Sequence, residues 1–119
     1  MDSREWTRKP EWMDETRREP RWQDVRTLVA RWGEEECLGK TRDVSLRGLG
    51  LALKGAVAHI GAPVTVDVVF DGEVVEFRGR VTHCRPEPWG SLAGILCDED
   101  DPRRAEFLHR RYAADLPPG

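Results

Sequence analysis

Two arginines near the N-terminus, Arg17 and Arg21, have a spacing that suggests ligand binding. Pro20 favours extended backbone in the residue before it, and residues four apart in an extended chain point to the same side, roughly 13 Å apart. A guanidinium group binds a phosphate, or O6 and N7 of guanine, through paired hydrogen bonds. The pair would therefore suit two contacts with one anionic ligand. The alternative is a solvated charged segment, since Arg4 and Arg8 have the same spacing.

A second feature is the pattern Asp-x-Ser-x-x-Gly, formed by Asp43, Ser45 and Gly48. A carboxylate at a strand end accepts hydrogen bonds from N1–H and N2–H₂ of a guanine, and a serine hydroxyl donates to a phosphate or to the base. Gly48 would allow a positive φ angle, or a close approach of the backbone to a flat ring. The alternative is a turn between two strands, because Asp, Ser and Gly are common turn residues.

The sequence gives little sign of catalysis. His59, His83 and His109 are far apart and lack the spacing of metal ligands, and no glycine-rich phosphate loop or nucleophile elbow is present. Cys84 follows His83, but neighbouring side chains of a strand point to opposite faces. We therefore expect no catalytic residues and no metal site.

Alternating apolar and polar residues predict about six β-strands. They are expected at 23–32, 36–44, 49–53, 64–70, 75–81 and 91–97, and the segment 86–90 should break the fifth. Asp71 and Gly72 form a typical hairpin turn between two of these strands. Asp101 and Pro102 then predict the start of a helix, which Pro117 would end. Antiparallel strands with short turns suggest a small barrel with one open end covered by the helix.

The composition restricts the class of protein. A chain of 119 residues has room for one domain, and a net charge of −3 argues against binding to nucleic acid polymers. No apolar run approaches the roughly 20 residues of a membrane span, and the N-terminus carries no secretory signal. Three cysteines without paired spacing indicate reduced thiols, so we expect a cytoplasmic protein.

The two motifs together resemble the PilZ domain, a bacterial module that binds cyclic di-GMP. The resemblance rests on the order of the motifs, on the hairpin between them, and on the 21 residues that separate Arg21 from Asp43. This spacing selects Arg17 and Arg21 over the earlier arginine pair. The run Gly48–Leu53 is also similar to the PilZ domains of bacterial cellulose synthases. The resemblance extends to about Tyr112.

The resemblance implies an all-β fold, a six-stranded antiparallel barrel with an N-terminal arginine arm and a short C-terminal α-helix. We accordingly divide the chain into a flexible arm (1–16), the barrel with its helix (17–116) and a tail (117–119). The arm would fold over cyclic di-GMP on the barrel surface. The residues implied in binding are Arg17, Arg18, Arg21, Asp43, Ser45 and Gly48.

The resemblance also suggests roles for two further residues. Trp22 would either stack on a guanine or form a lid over the barrel mouth. Arg47 stands where many family members have glycine, and it would either stack on a base or meet a phosphate.

The expected function is a single-domain receptor that closes its arm over cyclic di-GMP and signals through a partner protein. It would need no cofactor and would act as a monomer or a ligand-linked dimer. One alternative is a PilZ-like adaptor that works without nucleotide, against which the intact motifs argue. Another is a barrel that binds single-stranded nucleic acid, against which the net charge and the acidic run 98–101 argue.

Overall fold

The computed structural model describes residues 21–55 and 59–113. Arg17, Arg18, the expected arm and the expected tail lie outside the described residues, so the proposed division of the chain stays a prediction. The described elements are β1 (Thr27–Trp32), β2 (Glu35–Val44), β3 (Gly48–Leu53), β4 (Pro63–Phe70), β5 (Glu73–Glu87), β6 (Gly90–Cys97) and the helix α1 (Pro102–Arg111).

The six strands form a closed antiparallel barrel in the order β1-β2-β3-β6-β5-β4, and β1 pairs with β4 to close it. Closure supplies regular partners to both sides of most strands and so removes exposed edges. The prediction of a six-stranded antiparallel barrel with one short C-terminal helix is confirmed.

Alternate side chains fill the barrel interior, as the period of two requires. Leu28, Leu51, Val66 and Phe77 are among the fully buried residues. Leu108 of α1 is fully buried in the same core. The helix covers the barrel end that carries the β2–β3 and β4–β5 turns, since Arg104 bonds to Leu46 on the first turn and Arg111 to Asp71 on the second. Arg21 and the turn that follows Asp43 both lie at this end.

Three element boundaries differ from those expected. Strand β1 begins at Thr27 rather than at 23, because the preceding residues bond to the Thr41 side chain instead of to a ladder. Strand β5 continues through Pro86, which pairs with Ser91 on β6 while the other side of β5 has no strand partner; proline is tolerated at such an edge. Helix α1 ends at Arg111, six residues before the proline expected to stop it.

The start of α1 agrees with the sequence. The side chain of Asp101 accepts hydrogen bonds from the backbone N–H groups of Arg103 (2.9 Å) and Arg104 (3.4 Å), and Pro102 occupies the first helical position. In the part of the chain that the structure describes, no helix has the length and apolar character of a membrane span.

Candidate ligand-binding site

The two sequence motifs meet through Arg21 and Asp43. Nη1 of Arg21 donates a hydrogen bond to Oδ1 of Asp43 at 2.5 Å, and the two side chains are 43% and 30% exposed. The arginine is thus held at the barrel surface beside the end of β2. A ligand at this point would meet a donor and an acceptor that already bind each other.

Trp22 holds Arg21 in this position. Its backbone exchanges two hydrogen bonds with Val44, at 2.8 and 2.9 Å, as a short extension of the sheet. Its indole ring is only 5% exposed and stacks on Tyr112, with ring centroids 4.5 Å apart and planes within 9°. The ring therefore forms a lid over the barrel end, one of the two expected alternatives. Stacking on a guanine would require the indole to leave this position.

The turn after Asp43 is closed by Ser45. Both its backbone N–H (2.9 Å) and its Oγ (3.2 Å) donate to the carbonyl oxygen of Gly48, and Ser45 is fully buried. In this conformation the hydroxyl holds the turn, and a contact with ligand stays a prediction.

Gly48 is needed for packing rather than for a positive φ. It is absent from the described glycines with positive φ, so that expectation is wrong. A Cβ at this position would lie 2.4 Å from the carbonyl oxygen of Ile95, so only glycine allows β3 to approach β6 this closely.

Arg47 lies on the same turn, with a half-exposed side chain. Its Nε is 3.3 Å from Oδ1 of Asp100, across from the segment that leads into α1. An exposed ion pair of this kind contributes at most about 1 kcal/mol.

A row of residues across four strands borders Asp43 and was missed by sequence reasoning. Asp43 pairs with Gly50 on β3, Gly50 with Gly94 on β6, and Gly94 with His83 on β5. A Cβ at Gly50 would lie 2.6 Å from Oδ2 of Asp43, and one at Gly94 would lie 2.0 Å from Cε1 of His83. The carboxylate of Asp43 and the imidazole of His83 thus each lie directly over a glycine of the neighbouring strand.

The segment after Trp22 is held by a ring of ion pairs. Asp24 binds Arg26 (2.7 Å) and Arg111 (3.4 Å), and these two arginines both bind Asp71 (2.9 and 2.8 Å). The hydroxyl of Tyr112 also donates to Asp24, at 2.6 Å. The ring joins the segment after Trp22, the β4–β5 turn and the end of α1. An open cleft of about 590 Å³ lies beside it, lined by Arg21, Trp22, Gln23, Asp24, Arg26, Arg111 and Tyr112.

The ring shifts the titration of its members. Burial pushes the pKa of Asp24 upward, but hydrogen bonds from Tyr112 and Arg26 and the charges of Arg26 and Arg111 outweigh it, so this pKa lies below its ordinary value. The hydrogen bond and charge of Arg111, together with Arg26, also lower the pKa of Asp71. Burial and the bond to Asp24 raise the pKa of Tyr112. Both carboxylates are therefore ionised at neutral pH and bind their arginines there.

We expect the protein to lose stability below about pH 4, and Asp24→Asn to lose less. The folded pKa values of Asp24 and Asp71 lie below the unfolded value of about 3.9, so their stabilisation is complete above that value and disappears as the pH falls through the folded values. Thermal melts between about pH 6 and pH 2 would measure this. Glu34→Gln, which removes a charge from an exposed turn, is the control. Parallel curves for wild type and Asp24→Asn would contradict the prediction.

Comparison with known proteins agrees with the observed fold. The family model of the PilZ domain matches residues 15–113, a range that includes both motifs. The structure of the Bacillus subtilis inhibitor of motility (MotI/DgrA) superposes with a TM-score of 0.66 at 14% identity over 84% of this chain, which spans about half (52%) of that protein. The PilZ domain of CeSA from a cellulose-synthesizing bacterium gives a TM-score of 0.58 at 20% identity, covering 82% of this chain and 99% of that domain.

At these identities the two structures support the fold alone. No curated protein sequence matches the chain. The family match, in contrast, covers most of the chain and includes the arginines as well as the turn that the structure brings beside Arg21. The chain belongs to the PilZ domain family.

Proposed function

We propose that this chain is a cyclic di-GMP receptor that signals through a partner protein. PilZ domains in general bind this ligand. The observation that carries the proposal is the contact between Arg21 and Asp43, because it brings the second arginine of one motif to the carboxylate of the other. The ligand would lie on the outer barrel surface at this contact.

Asp43 suits the recognition of a guanine even while it binds Arg21. Its Oδ1 accepts from the guanidinium, whereas Oδ2 leans over Gly50 and has no hydrogen-bond partner within 21–55 and 59–113. N1–H and N2–H₂ of a guanine are donors that match such an acceptor. Because the carboxylate of Asp43 covers Gly50 and the imidazole of His83 covers Gly94, a flat base would lie against these two groups.

Arg21 suits a phosphate for a related reason. A guanidinium has five N–H donors, and in the described residues only Nη1 of Arg21 has a partner. The arginine would therefore keep Asp43 while it binds a phosphate oxygen. Arg17 and Arg18 would add phosphate or base contacts, and Arg47 would contact the ligand in place of Asp100.

Signalling would follow from a shift in the population of arm positions. The ligand must bind the closed arm better than the open one, since only a difference in affinity moves such an equilibrium. Closure would reposition residues 1–16 and so present or hide a surface for the partner. The protein would then act as a switch without catalysis.

Isothermal titration with cyclic di-GMP tests the proposal, with cyclic di-AMP and GTP as controls. We expect saturable binding of cyclic di-GMP alone, and the stoichiometry would distinguish a single ligand from a stacked pair. If a folded protein gives no binding at micromolar concentrations, the receptor function is wrong and the adaptor alternative takes its place.

A further inference from the structure

Among the described residues, Arg104 is the one charged residue that is buried, with 6% of its surface exposed. It makes no ion pair with any carboxylate in the part of the chain that the structure describes. Instead, Nε donates to the carbonyl oxygen of Leu46 and Nη2 donates to that of Glu99, both at 3.2 Å. Its Cζ also lies 5.4 Å from the centre of the Phe77 ring. A charge buried in this way needs such partners, so these contacts fix where the guanidinium lies.

The contact with Leu46 ties α1 to the candidate site. Leu46 lies in the middle of the turn between Asp43 and Gly48, and its carbonyl is not used by the bonds that close the turn. A backbone bond from the N–H of Cys97, the last residue of β6, to the carbonyl oxygen of Arg47 (2.7 Å) ties the same turn to the barrel, and Arg104 ties it to α1. The start of α1 therefore holds the half of the site that carries the carboxylate.

The other end of the same helix holds the other half. Arg111 and Tyr112 both bind the carboxylate of Asp24, and the Tyr112 ring stacks on Trp22, the neighbour of Arg21. Arg111 lies seven positions after Arg104, which is about 10 Å along a helix axis. One short helix thus touches both flanks of the contact between Arg21 and Asp43.

We propose that α1 is the common anchor of both halves of the site, and that Arg104 is the positioning residue for the turn after Asp43. Ligand binding and docking of α1 on the barrel are then coupled. By thermodynamic linkage, the factor by which bound ligand strengthens the docking of α1 equals the factor by which docked α1 strengthens ligand binding. A substitution that undocks α1 should therefore lower the affinity for the ligand. The identity of the ligand rests on the proposed function, whereas the anchoring itself does not.

Arg104→Met tests the anchor, because methionine keeps an apolar stem and removes the donors. In the ligand-free protein we expect faster amide hydrogen exchange at Ser45 and Cys97, whose N–H groups bond within or to the turn, with no change in β4. We expect cyclic di-GMP to bind roughly tenfold more weakly, the effect of losing one hydrogen bond to a charged group. Arg103→Met, an exposed neighbour on the same helix, is the matched control.

Two further variants keep the test decisive. Arg104→Lys retains the charge but not the two-pronged geometry, so it should fold and restore the affinity only in part. Tyr112→Phe keeps the ring stack but loses the bond to Asp24, and should speed exchange at Trp22 and Val44 from the opposite end of α1.

Two results would overturn the anchor: exchange at Ser45 and Cys97 that matches the Arg103→Met control, or faster exchange there with an unchanged affinity for cyclic di-GMP. A wild-type protein that binds no cyclic di-GMP would overturn the proposed function instead. The exchange measurements without ligand would still decide whether α1 anchors the turn.

Discussion

Asp43→Asn is expected to weaken cyclic di-GMP binding by roughly 10- to 100-fold, the effect of one or two hydrogen bonds to a charged group. The substitution keeps the shape of the side chain but replaces one acceptor by a donor. That donor would face either the guanidinium of Arg21 or the N–H groups of the guanine, so one contact is lost whichever way the amide turns. The loss of the negative charge weakens the contact that remains.

Stability should change little in the same variant. The ion pair of Asp43 with Arg21 is exposed, and such pairs contribute at most about 1 kcal/mol to the free energy of unfolding. Titration calorimetry and thermal melts of the same samples would separate the two effects. Asp67→Asn is a matched control, since Asp67 forms a similar surface pair with Arg31 at 2.7 Å on other strands. Equal affinities for the two variants would exclude Asp43 from the ligand site.

The barrel was predictable because its signals are local. Alternation in the segment Val64–Phe70 and the Asp71-Gly72 turn each specify their own short stretch of chain, and the observed strand and turn agree with them. The boundaries were less predictable where a distant group decides them. The segment before Thr27 would read as strand, yet its hydrogen bonds go to the side chain of Thr41.

The site was predictable as a set of motifs but not as a geometry. The spacing of Arg21 and Asp43 led to a family resemblance, and that resemblance carried the expectation that they act together. No local pattern shows that Gly50, Gly94 and His83 lie in one row, because the row depends on the register of four strands and on the bulge before His83. The period of two would have placed both glycines on the outer face, which is the signal that was available.

Buried polar groups were the least predictable feature. Arg104 lies in a helix rich in arginine, where charge patterning alone suggests a solvated face. Its burial follows from the approach of Phe77 and of the Leu46 carbonyl, which only the folded chain brings together. Ser45 is a similar case, since a hydroxyl expected to face ligand instead closes its own turn.

Trp22→Ala is expected to destabilise the protein by about 3–5 kcal/mol, the usual loss for a large aromatic residue in a core. The indole is 5% exposed, stacks on Tyr112 and closes the barrel end, so its removal leaves a cavity beside the Tyr112 ring. For a domain of this size the melting temperature should fall by at least roughly 10 °C. Ligand affinity should fall as well, because Arg21 loses the neighbour that holds it beside Asp43.

Two variants show whether this loss comes from packing. Trp89→Ala removes an indole that is 54% exposed and should change the melting temperature little. Trp22→Phe keeps a ring against Tyr112 and removes an indole N–H that is buried without a partner among the described residues, so it should cost much less than alanine. If Trp22→Ala melts with the wild type, the indole does not close the barrel end. Residues 21 and 22 would then be held by the Arg21 ion pair and the backbone bonds to Val44, and the ligand would be free to displace the indole.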